Sequence, residues 1–381
     1  MGVRIAQITP YFHPHLGGVE SHVRDLSRKL VELGHEVDVL TSIYEPELLS
    51  EDFVDNFRVI RIPTRAVIAK TPLMTSLHQF LKQGNYDIIH AHSPPPLADH
   101  YSAKFAFKNN IPFIYTYHCD MEIPIPMGKY VVSLYRFLYE KKTIKWTDAL
   151  ICTTKSYAAT SRSTWDRTVD VIPNAVDVQF FNPDIDGSKI RERHGLQGKT
   201  IVMFVGRIVH HKGIETLLLS ANHTKDPVHY LIVGSGEDTD RLRRMSEEVD
   251  KDRITFTGPV PRNELPEYYG AADMLILPSL SRLEAFGIVG LEAMASAKPV
   301  ILSRIPGVSE VIDHDQEGMI FDASDAEDLG QKIMKFHENP ELRKTMGERG
   351  RKRVLNEYSM RKVAEKVEKV YHRILKDKGG T

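Results

Sequence analysis

Two glutamates, Glu284 and Glu292, bracket a Phe-Gly pair and a short apolar run in the stretch RLEAFGIVGLE, residues 282–292. The stretch reads as a loop running into a helix from about Phe286, with Glu284 at the helix mouth and Glu292 near its second turn. An acid at a helix start is favoured by the helix dipole in any case. Glu292 is different, because it sits between Leu291 and Ala293-Met294 on a helix poor in polar residues. A carboxylate there needs a partner, since burying one alone is costly. A pair of sugar hydroxyls would serve; two surface glutamates flanking a core helix is the plainer reading. Gly287 would let backbone approach a ligand closely.

Other strand ends carry comparable groups. In VGRIVHHKG, residues 205–213, Arg207 and Lys212 follow a strand and bracket the start of the next helix. Two cations suit a diphosphate, whose charge is spread over two phosphorus centres; they suit a solvated basic face equally well. TPYFHPHLGGVE, residues 9–20, places Gly17-Gly18 just before a helix, where backbone N–H groups can meet an anion. A plain turn would look the same. VGSGE (233–237, with Gly234) and FTGPV (256–260, with Val260) are further glycine turns at strand ends. The second can present backbone groups to a flat base edge. In YTYHCD, residues 115–120, His118 follows an apolar strand and precedes an acid, and it reads evenly as structural or catalytic. His13, His15, His90, His92 and His100 read as a loop cluster, and no H-E-x-x-H or Cys-rich spacing supports a zinc site.

These residues need elements to position them. Short β-rich runs at 3–9, 36–40, 57–62, 86–91, 112–117, 149–153 and 168–172 alternate with helical patterns. The first helix, 19–33, has Val19, Val23, Leu26, Leu30 and Leu33 on one face and Gly34 as its stop. That rhythm predicts a parallel sheet with helices on both faces. It breaks over 173–198, where PNAVDVQFFNPDIDG is rich in turn residues and reads as a link between domains. Strands at 200–205, 228–233, 253–256, 273–277 and 299–302, with a helix at 213–220, restart it. The expected architecture is two α/β halves with a cleft between them. A last helix at 359–376 has no strand after it and is expected to cross back to the first half. The predicted domains are 1–178 and 179–358, followed by the helix 359–381.

The bulk numbers fit an ordinary globular protein of two domains: 381 residues, 41% hydrophobic and 27% charged. A net charge of −1 gives no global pull toward nucleic acid. Two cysteines, Cys119 and Cys152, exclude a disulfide scaffold and point to a reducing, cytoplasmic compartment. No signal-peptide pattern, myristoylation site or membrane-spanning run is expected.

Taken in order, the motifs resemble those of the retaining GT-B glycosyltransferases of family 4, and the resemblance covers almost the whole chain. The E-x7-E element with its F-G (Glu284, Phe286-Gly287, Glu292) is the most specific part, and G-R-x4-K-G (Gly206, Arg207, Lys212, Gly213) follows it. The linker VIPNAVD departs mildly, with Ala175 where glycine is usual. The resemblance implies a donor nucleotide sugar on the second of two Rossmann-like domains. Val260 would hold the base through its backbone and Glu292 the ribose hydroxyls. Arg207 and Lys212 would neutralise the diphosphate, with Gly17, Gly18 and Gly234 as further donor contacts. Glu284 and the backbone of Ala285, Phe286, Gly287 and Ile288 would grip the sugar and phosphates, and His118 would lie beside the reacting carbon. The two cations would do a metal's work, so no metal and no cofactor are expected. The leaving phosphate would act as base in a same-face attack. A sugar-nucleotide epimerase or hydrolase would need a different charged set, and a non-catalytic binding subunit would lack one of Glu284, Glu292, Arg207 and Lys212.

The donor base (UDP or GDP), the hexose and the acceptor are not legible. Two basic, apolar-interleaved stretches suggest an anionic membrane surface and a lipid acceptor, against a solvated helix face over a normal core. The first, 58–82, carries Arg58, Arg61, Arg65, Lys70 and Lys82 with no acid; the second, 127–145, carries Lys129, Arg136, Lys141, Lys142 and Lys145 against Glu140 alone. A nucleic-acid partner is not expected.

Overall fold

Strands that run apolar without alternation are buried on both faces, as a parallel sheet covered by helices requires. TIVMFV (200–205) and VHYLIV (228–233) are of this kind, and every residue in both is buried. A computed structural model describes residues 2–15, 17–68, 71–94, 96–121 and 127–379. Leu16 and Lys70 lie outside the described residues. The chain forms two compact units, 1–174 with 360–381, and 175–359.

The first unit holds β1 (Arg4–Ile8), β2 (Glu36–Ile43), β3 (Glu51–Val54), β4 (Phe57–Pro63), a small ribbon of β5 (Val67–Ile68) and β6 (Thr71–Pro72), β7 (Ile88–Ser93), β8 (Phe113–Tyr117), β9 (Ala149–Cys152) and β10 (Asp170–Val171). Its main sheet runs β10-β9-β8-β7-β1-β2-β4-β3. All of its pairs are parallel except β3 with β4. The strand order reverses between β1 and β7, with Gln7 paired in register to His90. The first helix, Gly18–Glu32, buries Val23, Leu26 and Leu30. The C-terminal helix, Met360–Gly379, belongs to this unit and buries Val363, Val367, Val370, Tyr371 and Ile374 at helical spacing.

The second unit holds β11 (Thr200–Val205), β12 (Val228–Val233), β13 (Ile254–Gly258), β14 (Met274–Leu277), β15 (Val300–Ser303) and β16 (Gly318–Phe321), all parallel, in the order β13-β12-β11-β14-β15-β16. Successive residues of β11 enter different cores. Ile201, Met203 and Val205 join one cluster, and Val202 and Phe204 join the other. Strands β3 and β16 and the helices Ala326–Glu338 and Pro340–Arg353 were not anticipated from the sequence. The stretch expected as a link also contains a short helix, Ser188–Arg193.

One expectation is corrected here. The first part of the basic stretch 58–82 is not an exposed amphipathic surface. It opens with β4, an interior strand with Ile60 and Ile62 buried. Two of its arginines are used inside the unit: Arg58 donates to Asp38 at 2.7 and 3.0 Å, and Arg61, 2% exposed, donates to the carbonyls of Leu49 and His13. Arg65, Val67, Ile68 and Lys82 are exposed.

Candidate active site

In open α/β sheets, ligands bind beyond the carboxyl ends of strands where the strand order reverses. In the second unit that point lies between β11 and β14. Gly206 leaves β11 at φ 149°, and its N–H donates to Val233 O at 3.0 Å. Arg207 follows, exposed and with no ion pair among the described residues. The chain makes one tight turn, His210–Lys212, and passes through Gly213 at φ 67° into the helix Ile214–Leu219. A Cβ on Gly213 would stand 1.9 Å from Pro278 O. Glycine therefore lets the loop after β11 lie directly on the loop after β14. Leu280 N–H donates to His211 O at 2.8 Å and stitches the two together.

This contact brings two predicted residues onto each other. Lys212 Nζ pairs with Glu284 Oε2, with side chains only 16% and 13% exposed. The sequence reading gave the lysine to the diphosphate and the glutamate to the sugar. In the structure each is the other's partner. Beyond Glu284 the chain turns at Gly287 (φ 78°) into the helix Ile288–Ala295. The N–H of Gly290 donates back to Gly287 O at 2.9 Å, whereas those of Ile288 and Val289 have no intrahelical acceptor, and no acid lies within that turn. Ala285 and Phe286 are buried, and the Phe286 ring packs edge-on to Tyr358, so only their backbone is available to a ligand.

Glu292 already has the partner that its burial demands. Tyr269 OH donates to Glu292 Oε2 at 2.6 Å. Burial, together with the nearby Glu292 charge, holds the phenol pKa far above its usual value, so it stays a donor. A carboxylate accepts several hydrogen bonds, so the Tyr269 contact does not by itself exhaust Glu292 as an acceptor.

The GSG turn has a packing reason. Gly234, at φ 131°, sits where a Cβ would be 1.9 Å from Gly206 O, and its N–H donates to Gly258 O at 3.0 Å. The ends of β11, β12 and β13 are thus drawn together. Val260 is partly buried and packs on the core.

In the first unit, Gly17 precedes the first helix in extended backbone and Gly18 opens it. The helix's own Glu20 occupies this mouth: its Oε2 lies 2.2 Å from where a Gly17 Cβ would be, and its Oε1 is 3.3 Å from His15 Nδ1. Any anion arriving there must displace or share with that carboxylate.

His118 lies just past β8, buried, with its N–H on Ser93 O at 3.0 Å. His90 and His92 are not loop residues, as the sequence suggested, but buried members of β7; His100 lies in the helix Ala98–Lys108. His118 Nε2 meets His92 Nδ1 at 3.1 Å, and His92 Nε2 meets Gln7 Oε1 at 2.8 Å. Gln7 Nε2 then donates to Tyr371 OH at 3.1 Å, which contacts His90 Nδ1 at 2.6 Å; His90 Nε2 meets Thr116 Oγ1 at 2.7 Å. His22 stacks edge-on to His118, with centroids 5.0 Å apart. Burial pushes His22 down to about 4 and His90 down to about 3, and holds His92 and His118 well below the usual range, so all four are neutral near pH 7. Sequence reasoning missed Gln7, His22, Tyr269 and Tyr371. None lies in a motif, and each is joined to the site only by folding.

Comparisons with known proteins bear on the family and the fold. The signature described as "Glycosyl transferases group 1" matches residues 186–353, and that of "Glycosyltransferase Family 4" matches residues 16–180. The D-inositol 3-phosphate glycosyltransferase of Pseudarthrobacter chlorophenolicus is 29% identical over 361 residues, covering 87% of this chain and 84% of the relative. The solved sucrose-phosphate synthase of Thermosynechococcus elongatus superposes with a TM-score of 0.78 at 23% identity, over 98% of this chain and 100% of that one. The Anabaena HepE structure in complex with UDP-glucose gives 0.76 at 18%, over 97% and 100%. The chain is a glycosyltransferase of the group 1/family 4 kind, with the GT-B fold of two Rossmann-like domains.

Proposed function

We propose that the protein moves a hexosyl or N-acetylhexosaminyl group from a UDP- or GDP-sugar to an acceptor hydroxyl, with retention at the anomeric carbon and without a metal ion. The observation that carries this is the switch point of the second sheet. There the exposed Arg207, the Lys212–Glu284 pair and the helix start at Ile288 converge on one stitched pair of loops. Breaking a glycosyl-phosphate bond builds negative charge on the leaving diphosphate. Fixed cations and first-turn N–H groups stabilise that charge, which is electrostatic catalysis. Donor binding would loosen the Lys212–Glu284 pair, turning Lys212 to phosphate and Glu284 to sugar hydroxyls. Glu292, steadied by Tyr269, would take the ribose diol. His118 would contribute a neutral imidazole to the reacting sugar. The UDP-glucose held by HepE supports a nucleotide-diphosphate donor.

The acceptor side rests on the stretch 127–145. In and beside the helix Gly128–Tyr135, the side chains of Met127, Tyr130, Val131, Leu134, Phe137 and Leu138 are exposed, with Lys129, Arg136, Lys141, Lys142 and Lys145 among them. Apolar side chains in water beside cations fit an anionic lipid surface, so a lipid or other membrane-associated acceptor is the favoured class. Among the described residues no helix is long and apolar enough to cross a membrane.

Thermal shift with UDP-glucose, UDP-N-acetylglucosamine and GDP-mannose tests the donor. A sugar nucleotide at 100 times its Kd stabilises by about 2.7 kcal/mol. No shift with any of the three overturns the reading. EDTA is expected to leave turnover unchanged, and flotation with anionic vesicles at low salt tests the membrane.

A further inference from the structure

We propose that Tyr371 of the C-terminal helix, acting through Gln7 and His92, fixes His118 as its Nε2–H tautomer and leaves Nδ1 as the basic atom. This rests on His118 serving the transfer, as read above.

Counting protons along the line fixes its direction. Five contacts join Thr116, His90, Tyr371, Gln7, His92 and His118 in a line, spanning 2.6 to 3.1 Å. Each neutral imidazole has one N–H and one lone pair. The Gln7 amide has a donating and an accepting end, so its orientation sets the direction of the whole line. Gln7 Nε2 donates to the Tyr371 oxygen. The Tyr371 proton must then go to His90 Nδ1, which leaves His90 Nε2–H for Thr116 Oγ1. On the other side Gln7 Oε1 can only accept, so His92 carries its proton on Nε2. His92 Nδ1 is then a lone pair, and His118 must donate to it from Nε2. Nothing is left over. His118 Nδ1 has no proton and can accept a hydrogen bond from a substrate hydroxyl, holding that hydroxyl in place.

Turning the Gln7 amide over reverses every link and would make His90 Nδ1–H donate to the phenol, so the direction of the line is that of the Gln7 amide. Burial holds the Tyr371 hydroxyl protonated, so it has that proton to give. The ring nitrogens of His22, His92 and His118 lie within 4.8 Å of one another, and within this group His92 Nδ1 and His118 Nε2 are already joined by a hydrogen bond at 3.1 Å.

Tyr371 and Gln7 are positioning residues, and the test reads the proton itself. Long-range 1H–15N spectra of the full chain, with histidines assigned by substitution, are expected to show His118 protonated at Nε2 only. Protonation at Nδ1 overturns the proposal. Tyr371→Phe removes the acceptor that orients the Gln7 amide. His92 and His118 should then exchange between tautomers, and kcat should fall by roughly two- to ten-fold as the competent fraction falls, with donor KM unchanged. A single Nε2–H tautomer retained in Tyr371→Phe also overturns the proposal. If that variant does not fold, Gln7→Leu asks the same question. His118→Ala at full turnover, with the wild-type tautomer as expected, would instead sink the role of His118 and leave the proton line standing.

Discussion

The two sheets reverse their strand order at points of opposite character. Beyond β11 and β14 the groups are charged and partly in reach of water: Arg207 exposed, Lys212 against Glu284, Glu292 held by a phenol. Between β1 and β7 they are neutral and dry, with imidazoles, an amide and a hydroxyl passing single protons along a line. A site that must meet a diphosphate needs charges that water and salt can also see. A site that must hold one imidazole in one tautomer needs the reverse, because an ionised neighbour would break the line. The second unit should therefore respond to loss of charge, and the first to acid.

The sharpest way to break this contrast is Arg207→Ala. We expect a loss of roughly 3 kcal/mol or more in transition-state stabilisation, about 100-fold in kcat, comparable to losing an oxyanion donor. Because Arg207 is exposed and makes no ion pair among the described residues, the melting temperature should hardly move. Wild-type turnover in this variant would remove the charged site from the mechanism.

Acid tests the other side. His22 is depressed to about 4 and His90 to about 3 in the folded chain, so unfolded chains bind protons first as pH falls below about 6.5. Stability from these groups is complete above that value and is lost as pH falls toward 3–4. Between pH 7.5 and 5 each such histidine should cost on the order of 2 kcal/mol. Denaturant melts of wild type and His22→Leu at both values measure one share. His22 Nδ1 is buried with no hydrogen-bond partner, so the leucine should cost little at pH 7.5 and flatten the decline by about that amount. An equal acid slope in both proteins would contradict the assignment.

The same contrast explains what was legible. The charged site is written in short motifs, 205–213 and 282–292, so residue types and spacing were enough to find it. The strands beside it were equally plain, because continuous apolar runs such as 200–205 admit few readings. The proton line had no such signature. Gln7 and Tyr371 are 364 residues apart, and Gln7 and His92 are 85 apart. Only the parallel pairing of β1 with β7, and the C-terminal helix returning to the first unit, bring them together. Local spacing also hid partners. Glu292 was expected to wait for a ligand, yet Tyr269, 23 residues earlier, already donates to it. The basic run from Arg58 looked like surface because composition does not tell an interior strand, whose arginines reach Asp38 and backbone carbonyls, from an exposed one.

A smaller effect tests Glu292. Glu292→Gln keeps the shape but weakens a charge-assisted grip on a diol, and we expect about ten-fold in donor KM, or 1.4 kcal/mol, with kcat little changed. Tyr269→Phe should move KM the same way and less, since it releases the carboxylate without removing it. A fall in kcat alone would place Glu292 with the reacting sugar instead of the ribose.

The smallest expected effect concerns a region outside both sites. Leu134 and Phe137 are 59% and 66% exposed in the first unit. Folding gains little from them, so Leu134→Ser and Phe137→Ser should each change stability by less than about 0.5 kcal/mol. If these side chains enter lipid, each forfeits the part of its burial that the fold leaves unused, about 1 kcal/mol, or roughly five-fold in vesicle partitioning. Lys141→Gln and Lys142→Gln should weaken binding by a similar amount at low salt and by less at high salt, since screening shortens the reach of a surface charge. The two kinds of variant separate apolar insertion from electrostatic attraction. If partitioning follows the lysines and ignores Leu134 and Phe137, the surface is held to lipid by charge alone. If it follows neither, the exposed apolar face has another occupant.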